Sequence, residues 1–154
     1  GAQAMQGYWN RPEDTAAVLS ADGWLKTGDV GFVDEEGYVF IVDRTKDMVK
    51  SGGEWISSID VENTVMSCPG VANAAVIGVP HPKWTERPLL VVVKTPGADV
   101  TKETILAHAA KKLAVWQVPD DVIFAEALPM TATGKINKRS LRDSYGQTLL
   151  NAQA

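Results

Sequence analysis

Residues 73–95, NAAVIGVPHPKWTERPLLVVVKT, contain two uninterrupted apolar runs, Asn73–Pro80 and Arg87–Thr95, each bounded by Gly or Pro. Apolar runs without polar alternation mark strands buried on both faces rather than on one. The two are therefore expected to pair in a sheet covered above and below, with PHPKWTERP between them as an exposed loop. The flanking sequence supplies the covering helices. Ser58–Ser67 carries Ile59, Glu62 and Met66 at near-helical spacing, with a serine as cap candidate at its start and Cys68-Pro69-Gly70 as its stop. Thr101 caps a second helix, in which Ile105, Ala109, Leu113 and Trp116 form one apolar stripe ending before Pro119. Asp121–Leu128 reads as a third short strand, and Asn137 caps a final helix running to Leu150. The order α, β, β, α, β, loop, α predicts an α+β fold: a small three-stranded sheet with packed helices.

Upstream, Trp24–Arg44 is rich in Val, Phe, Tyr and Ile and is interrupted by the turn residues Asp34–Gly37, which predicts a β-hairpin. The next stretch, TKDMVKSGGEW, breaks that pattern with Lys46, Asp47 and Lys50 and then Gly52-Gly53, and marks a boundary between two compact units, 1–45 and 46–154. A chain of 154 residues that is 45% hydrophobic accommodates one core and a small appendage. Its formal charge of -4 argues against nucleic acid or an anionic membrane as the main partner. The single cysteine, Cys68, forms no internal disulfide and suits a reducing compartment, with the cytoplasm as default. No apolar stretch approaches the roughly 20 residues of a membrane span. The opening GAQAMQGYWN has neither a basic nor an apolar targeting region and no initiator methionine, and it reads as an entry into the middle of something longer.

Thr131–Ser140, TATGKINKRS, contains a Gly-Lys pair in a small polar loop opening a helix. A phosphate loop of the G-x-x-x-x-G-K-[ST] type needs several successive backbone N–H groups to wrap the phosphates. Here the earlier glycine is missing and Ile136 stands in place of the hydroxyl, so the pattern is not a P-loop. What remains is Lys135, a flexible ammonium suited to act as a point charge against a phosphate or carboxylate oxygen.

Four stretches together, GWLKTGD (23–29), VDRTKDMVKSGGEWIS (42–57), GVPHPKWTERP (78–88) and LPMTATGKINKRSLR (128–142), resemble the last consecutive motifs of the adenylate-forming superfamily. That superfamily includes acyl-CoA synthetases, luciferases of the firefly type and the adenylation domains of peptide synthetases. W-Q-x-P-D-D-V followed by T-A-T-G-K-I looks most like medium- and long-chain fatty acyl-CoA synthetases and relatives acting on small thioether or branched acids. The resemblance implies that residues 1–45 are the end of a large domain and 46–154 a mobile C-terminal domain. It implies two half-reactions: a carboxylate attacks ATP to give acyl-AMP, and the thiol of CoA then expels AMP. ATP, CoA and magnesium are the implied cofactors, the magnesium site lying outside this chain. The large N-terminal domain and a carboxylic acid substrate are the implied partners.

The resemblance also assigns roles. Asp29 and Arg44 would hold the nucleotide, a carboxylate accepting from the ribose diol beside a guanidinium fork. Lys135 would be the catalytic residue of the first half-reaction and Lys46 the hinge. Gly52 and Gly53 would line the pantetheine tunnel, Trp84 would contact CoA, and Lys50 would face the adenylate in the second state. Contacts to the CoA nucleotide do not carry over to WQVPDD, where some relatives have basic residues and this chain has Val118 and two aspartates. Simpler readings stand beside these. Thr-Gly-Asp is often a plain turn, Gly52-Gly53 a plain loop, and Trp116 a core anchor. Lys138, Arg139 and Arg142 read as a solvated face, and Cys68 as packing. His81 and His108 have no ligand partner at metal spacing, so no metal site is expected. An adenylation domain loading a carrier protein, or an interaction module that kept the fold without the chemistry, are the alternatives.

Overall fold

The computed structural model describes residues 3–151. The chain divides into two compact units, one ending at Thr45 and one beginning at Lys46. In the first, α1 (Pro12–Val18) precedes an antiparallel pair, β1 (Asp29–Val33) and β2 (Val39–Arg44). α1 is absent from the sequence reading, yet its signals are local: Pro12 opens it, where no N–H is needed, and Glu13 and Asp14 fill its first turn. The hairpin turn is held by Asp34, whose carboxylate accepts from the Glu36 and Tyr38 N–H groups at 3.0 and 2.8 Å. The rings of Phe32 and Phe40 stack across the pair at 5.0 Å.

The second unit has five strands where three are expected. β3 (Val49–Ser51), β4 (Glu54–Ile56), β5 (Val71–His81) and β6 (Thr85–Lys94) lie in the order β4-β3-β6-β5, and β7 (Asp121–Phe124) runs parallel on β6. The two extra strands come from the stretch read as a boundary loop. Charged residues hide an alternation there: Val49, Ser51 and Ile56 are buried on one face while the paired Lys50 and Trp55 are exposed on the other. Gly52-Gly53 is the two-residue turn between them, with φ of 59° and 98°, the positive values that such a hairpin turn demands of both residues.

β5 and β6 pair over their full length and are covered on both faces, as their apolar runs require. Ala74, Val76, Leu90 and Val92 pack with α2 (Ser58–Met66) and α3 (Lys102–Ala110), through Val61, Val65, Ile105 and Ala109. Ala75, Ile77, Val79, Leu89 and Val91 pack on the other face with Leu141 of α4 (Lys138–Tyr145) and Leu149 of α5 (Thr148–Asn151). Ser57, Thr101 and Asn137 cap α2, α3 and α4 through their side-chain oxygens.

Three expectations need correction. α3 ends at Ala110, so Trp116 does not continue its stripe; it sits in a 3-10 turn (Val115–Gln117) and is 41% exposed, no core anchor. The third strand stops at Phe124 rather than Leu128. The final helix is two helices, broken around Gly146, whose hypothetical Cβ would lie 2.6 Å from the Arg142 carbonyl oxygen. Cys68 is buried in the core, and no helix of the described residues is long and apolar enough to cross a membrane.

Candidate active site

Asp29 and Arg44 face each other directly across β1 and β2, because the hairpin register pairs them. The Arg44 Nε lies 3.4 Å from the Asp29 Oδ1. The Thr27 hydroxyl accepts from the Asp29 N–H at 3.2 Å, shaping the Thr-Gly-Asp turn. A carboxylate and a guanidinium thus emerge side by side, and both remain partly open to solvent.

In the second unit, Lys50, Gly52, Gly53 and Trp84 come together where the β3–β4 turn meets the β5–β6 turn. The Gly52 N–H donates to the Trp84 carbonyl at 2.9 Å, and Ser51 pairs with Thr85. A Cβ on Gly52 would stand 2.8 Å from Cε3 of the Trp84 ring, so a methyl there would have to displace the indole. Gly53 has no atom within 4 Å of its Cβ position and borders open space. The β5–β6 turn is shaped by His81, whose Nδ1 accepts from the N–H groups of Lys83 and Trp84 at 3.1 and 3.3 Å. That nitrogen acts as an acceptor, and the other ring nitrogen, Nε2, lies 3.9 Å from the Asp120 Oδ2. The Lys83 ammonium lies 4.5 Å from the Trp84 ring centroid, and that of Lys50 lies 5.4 Å from Trp55.

Beneath Trp84 opens a cavity of about 510 Å³, lined by Ser51, Gly52, Glu54, Trp84, Arg87, Val115, Trp116 and Asp120. Arg87, buried at its floor, is a residue to which the sequence reading gives no role. Its Nε and Nη2 hold Asp120 at 2.7 and 2.6 Å, Nη1 reaches the Ser51 hydroxyl at 2.9 Å and the Trp116 carbonyl at 2.7 Å, and Nη2 reaches the Val118 carbonyl at 2.9 Å. Four hydrogen bonds and an ion pair thus engage a guanidinium that has five N–H donors. Arg87 therefore builds the cavity rather than offering itself to a ligand anion. The aspartates of WQVPDD find the same use: Asp120 takes Arg87, and Asp121 takes Lys102 at 2.8 Å. The clue in the sequence was an arginine between two strand-forming runs, where an unpaired charge would not be tolerated.

Lys135 lies on a different loop. Met130 and Ile136 form a bridge, the Thr131 N–H donates to the Lys135 carbonyl at 2.7 Å, and the Gly134 N–H donates to the Thr131 carbonyl at 3.0 Å. The Lys135 N–H in turn donates to the Thr131 hydroxyl at 3.1 Å, and Gly134 takes φ of 75° to close the turn. The backbone of this small loop is fixed while the side chain is exposed, and no hydrogen bond or ion pair among the described residues engages its ammonium. Of its basic neighbours, Arg139 is exposed as a solvated face requires, whereas Lys138 and Arg142 are engaged within the fold. Lys138 is partly buried against Glu62 at 2.7 Å and Ser58 at 2.6 Å, and Arg142 holds Asp47 at 3.0 Å. Lys46 is exposed and is the first residue of the second unit.

Residues 60–135 match the family model of the AMP-binding enzyme C-terminal domain. The chain is 56% identical over 131 residues, 85% of its length, to the 3-methylmercaptopropionyl-CoA ligase of Ruegeria lacuscaerulensis, of which it covers 24%. It is 52% identical over 140 residues, 90% of its length, to the long-chain-fatty-acid–CoA ligase of Thermus thermophilus, of which it covers 26%. It therefore spans about a quarter of the length of these relatives. Its structure superposes on 97% of its own length and 30% of ATP-bound MatB from Rhodopseudomonas palustris, with a TM-score of 0.90 and 38% identity. The motif stretches that surround Asp29, Lys46 and Lys135, the shared sheet and helices, and these relatives agree: the chain belongs to the AMP-binding enzyme C-terminal domain family.

Proposed function

We propose that this chain is the C-terminal part of an AMP-forming, ATP-dependent acyl-CoA synthetase of fatty-acid type, working in the cytoplasm. The observation that carries the reading is Lys135, an exposed ammonium without an internal partner on a backbone loop held rigid by its own hydrogen bonds. Such a group is prepared to meet charge developing on a substrate that another part of the enzyme binds. In this reading Lys135 bridges the attacking carboxylate and the α-phosphate of ATP. Asp29 and Arg44 hold the ribose of the adenylate, and Lys46 is the hinge about which residues 46–154 turn between the two half-reactions.

The CoA thiol then arrives past Gly53, whose bare edge leaves room for the pantetheine arm, with Trp84 giving it apolar surface and Lys50 facing the adenylate. Residues 1–45 are, in the same reading, the last strands of the large domain. Support comes from Val39, Phe40 and Ile41, successive residues that point to opposite faces of a two-stranded sheet and are all exposed. A hairpin with both faces apolar needs further chain to cover it. The magnesium expected with ATP is, in the same reading, assigned to the remainder of the enzyme.

The test is made on the full-length enzyme supplied with ATP and a fatty acid. Pyrophosphate release followed by CoA thioester formation is the expected result. No adenylate with any carboxylic acid would refute the reading, and transfer to a carrier-protein thiol but not to CoA would shift it to a carrier-loading enzyme. Within the same assay, Gly53→Leu is expected to lower thioester formation from supplied acyl-AMP at least tenfold while adenylate formation stays within about twofold.

A further inference from the structure

Arg142 lies far along the chain from Lys46, yet a single terminal nitrogen of its guanidinium, Nη2, donates both to the Lys46 carbonyl at 2.9 Å and to the Asp47 carboxylate at 3.0 Å. Seen from the residues that follow it, the direction of a carbonyl is set by φ of the next residue, because the peptide plane between them is rigid. A donor held on that oxygen by the C-terminal body therefore fixes the Lys46–Asp47 peptide plane against that body, which is the torsion φ of Asp47, and the Asp47 carboxylate contact keeps the donor in place. Arg142 is itself anchored. It rides on α4, whose Leu141 is buried in the core and whose first residue, Lys138, is tied to Glu62 and Ser58 of α2. The loop carrying Lys135 runs directly into this helix, through the Asn137 cap.

We propose that Arg142 is a positioning residue that locks the C-terminal side of the hinge. Rotation is thereby confined to the bonds before the Lys46 carbonyl, and the Lys135 loop turns with the hinge as one body through α4. The lock is a statement about this chain's own contacts; its consequence for the reaction rests on the ligase reading proposed above. Without the lock, the Lys46–Asp47 peptide turns against the body that carries it, and the angle through which Lys135 is delivered is no longer defined.

Trypsin reads the lock directly, because the held carbonyl is the scissile one of the Lys46–Asp47 bond, and the Arg44–Thr45 bond nearby serves as internal reference. In the full-length enzyme, Arg142→Gln is expected to raise cleavage after Lys46 about tenfold or more relative to cleavage after Arg44, as loss of a charge-assisted hydrogen bond implies. Asp47→Asn is expected to raise it less, and Arg142→Lys to restore part of the protection. A ratio unchanged in both Arg142→Gln and Asp47→Asn, or a rise at both bonds together, would overturn the lock.

In the full-length enzyme, Arg142→Gln is expected to lower kcat of adenylate formation about tenfold with KM for ATP unchanged, and Arg142→Lys to recover part of it. An unchanged kcat, or a KM that rises in its place, would overturn the coupling to Lys135. An enzyme that forms no adenylate even with Arg142 intact would contradict the ligase reading instead, and the cleavage ratio would still decide the lock.

Discussion

Lys135→Ala in the full-length enzyme is expected to slow acyl-adenylate formation by about a hundred- to a thousandfold, the usual effect of removing a preorganised donor from developing charge. Conversion of supplied acyl-AMP to thioester should stay within about twofold. The asymmetry follows from the loop. Its hydrogen bonds, from Thr131 to Lys135 and from Gly134 to Thr131, involve backbone and threonine hydroxyl alone, so truncating the exposed side chain removes a charge without disturbing the fold. Lys135→Arg keeps the charge but replaces a compact ammonium with a planar fork of different reach, and full rescue is not expected. Separate measurement of pyrophosphate exchange and of thioester release from synthetic acyl-AMP resolves the two steps. Equal loss in both would remove Lys135 from its proposed role, because a group that serves only the first transition state cannot slow the second.

The parts of the fold legible in the sequence are those in which one local signal sufficed. β5 and β6 were readable because burial on both faces leaves an unbroken apolar run, and Ala74 through Ile77 and Leu89 through Val92 are indeed buried without exception. The caps at Thr101 and Asn137 were readable because a single side-chain oxygen performs the task. β3 and β4 were not, since three-residue strands offer one alternation each and Lys50 and Glu54 dominate the eye. The Gly52-Gly53 pair was the usable clue, and it was read as a boundary. Trp116 was misread because a helical stripe can be continued on paper past the last helical hydrogen bond; nothing in Ala109-Ala110-Lys111 announces the end of α3. For the candidate site, Asp29, Lys46 and Lys135 are proposed through motif resemblance, whereas the sequence gives Arg87 no role. Its importance lies in partners scattered from Ser51 to Asp120, and no spacing in the sequence records that they converge.

That convergence makes Arg87→Met the substitution with the largest expected cost in stability. The methionine fills a similar volume, so packing changes little, but Asp120 loses its counterion and the Ser51 hydroxyl and the Trp116 and Val118 carbonyls lose their donor together. Removing one partner of a largely buried ion pair costs about 3 to 5 kcal/mol, and the stranded acceptors add to it. Urea unfolding of the chain checks this through the shift in midpoint at constant slope. Arg87→Lys should recover only part of the loss, since one ammonium cannot span a carboxylate, a hydroxyl and two carbonyls. Asp120→Asn should cost less than Arg87→Met, because the amide oxygen still accepts from Nε. If instead Arg87→Met shifted stability by less than about 1 kcal/mol, the guanidinium would be dispensable to the scaffold, and the cavity floor would have to be regarded as a place for a ligand's anion. The two outcomes separate an arginine that shapes the cleft from one that waits for a substrate, and the four hydrogen bonds it already makes within the fold argue for the first.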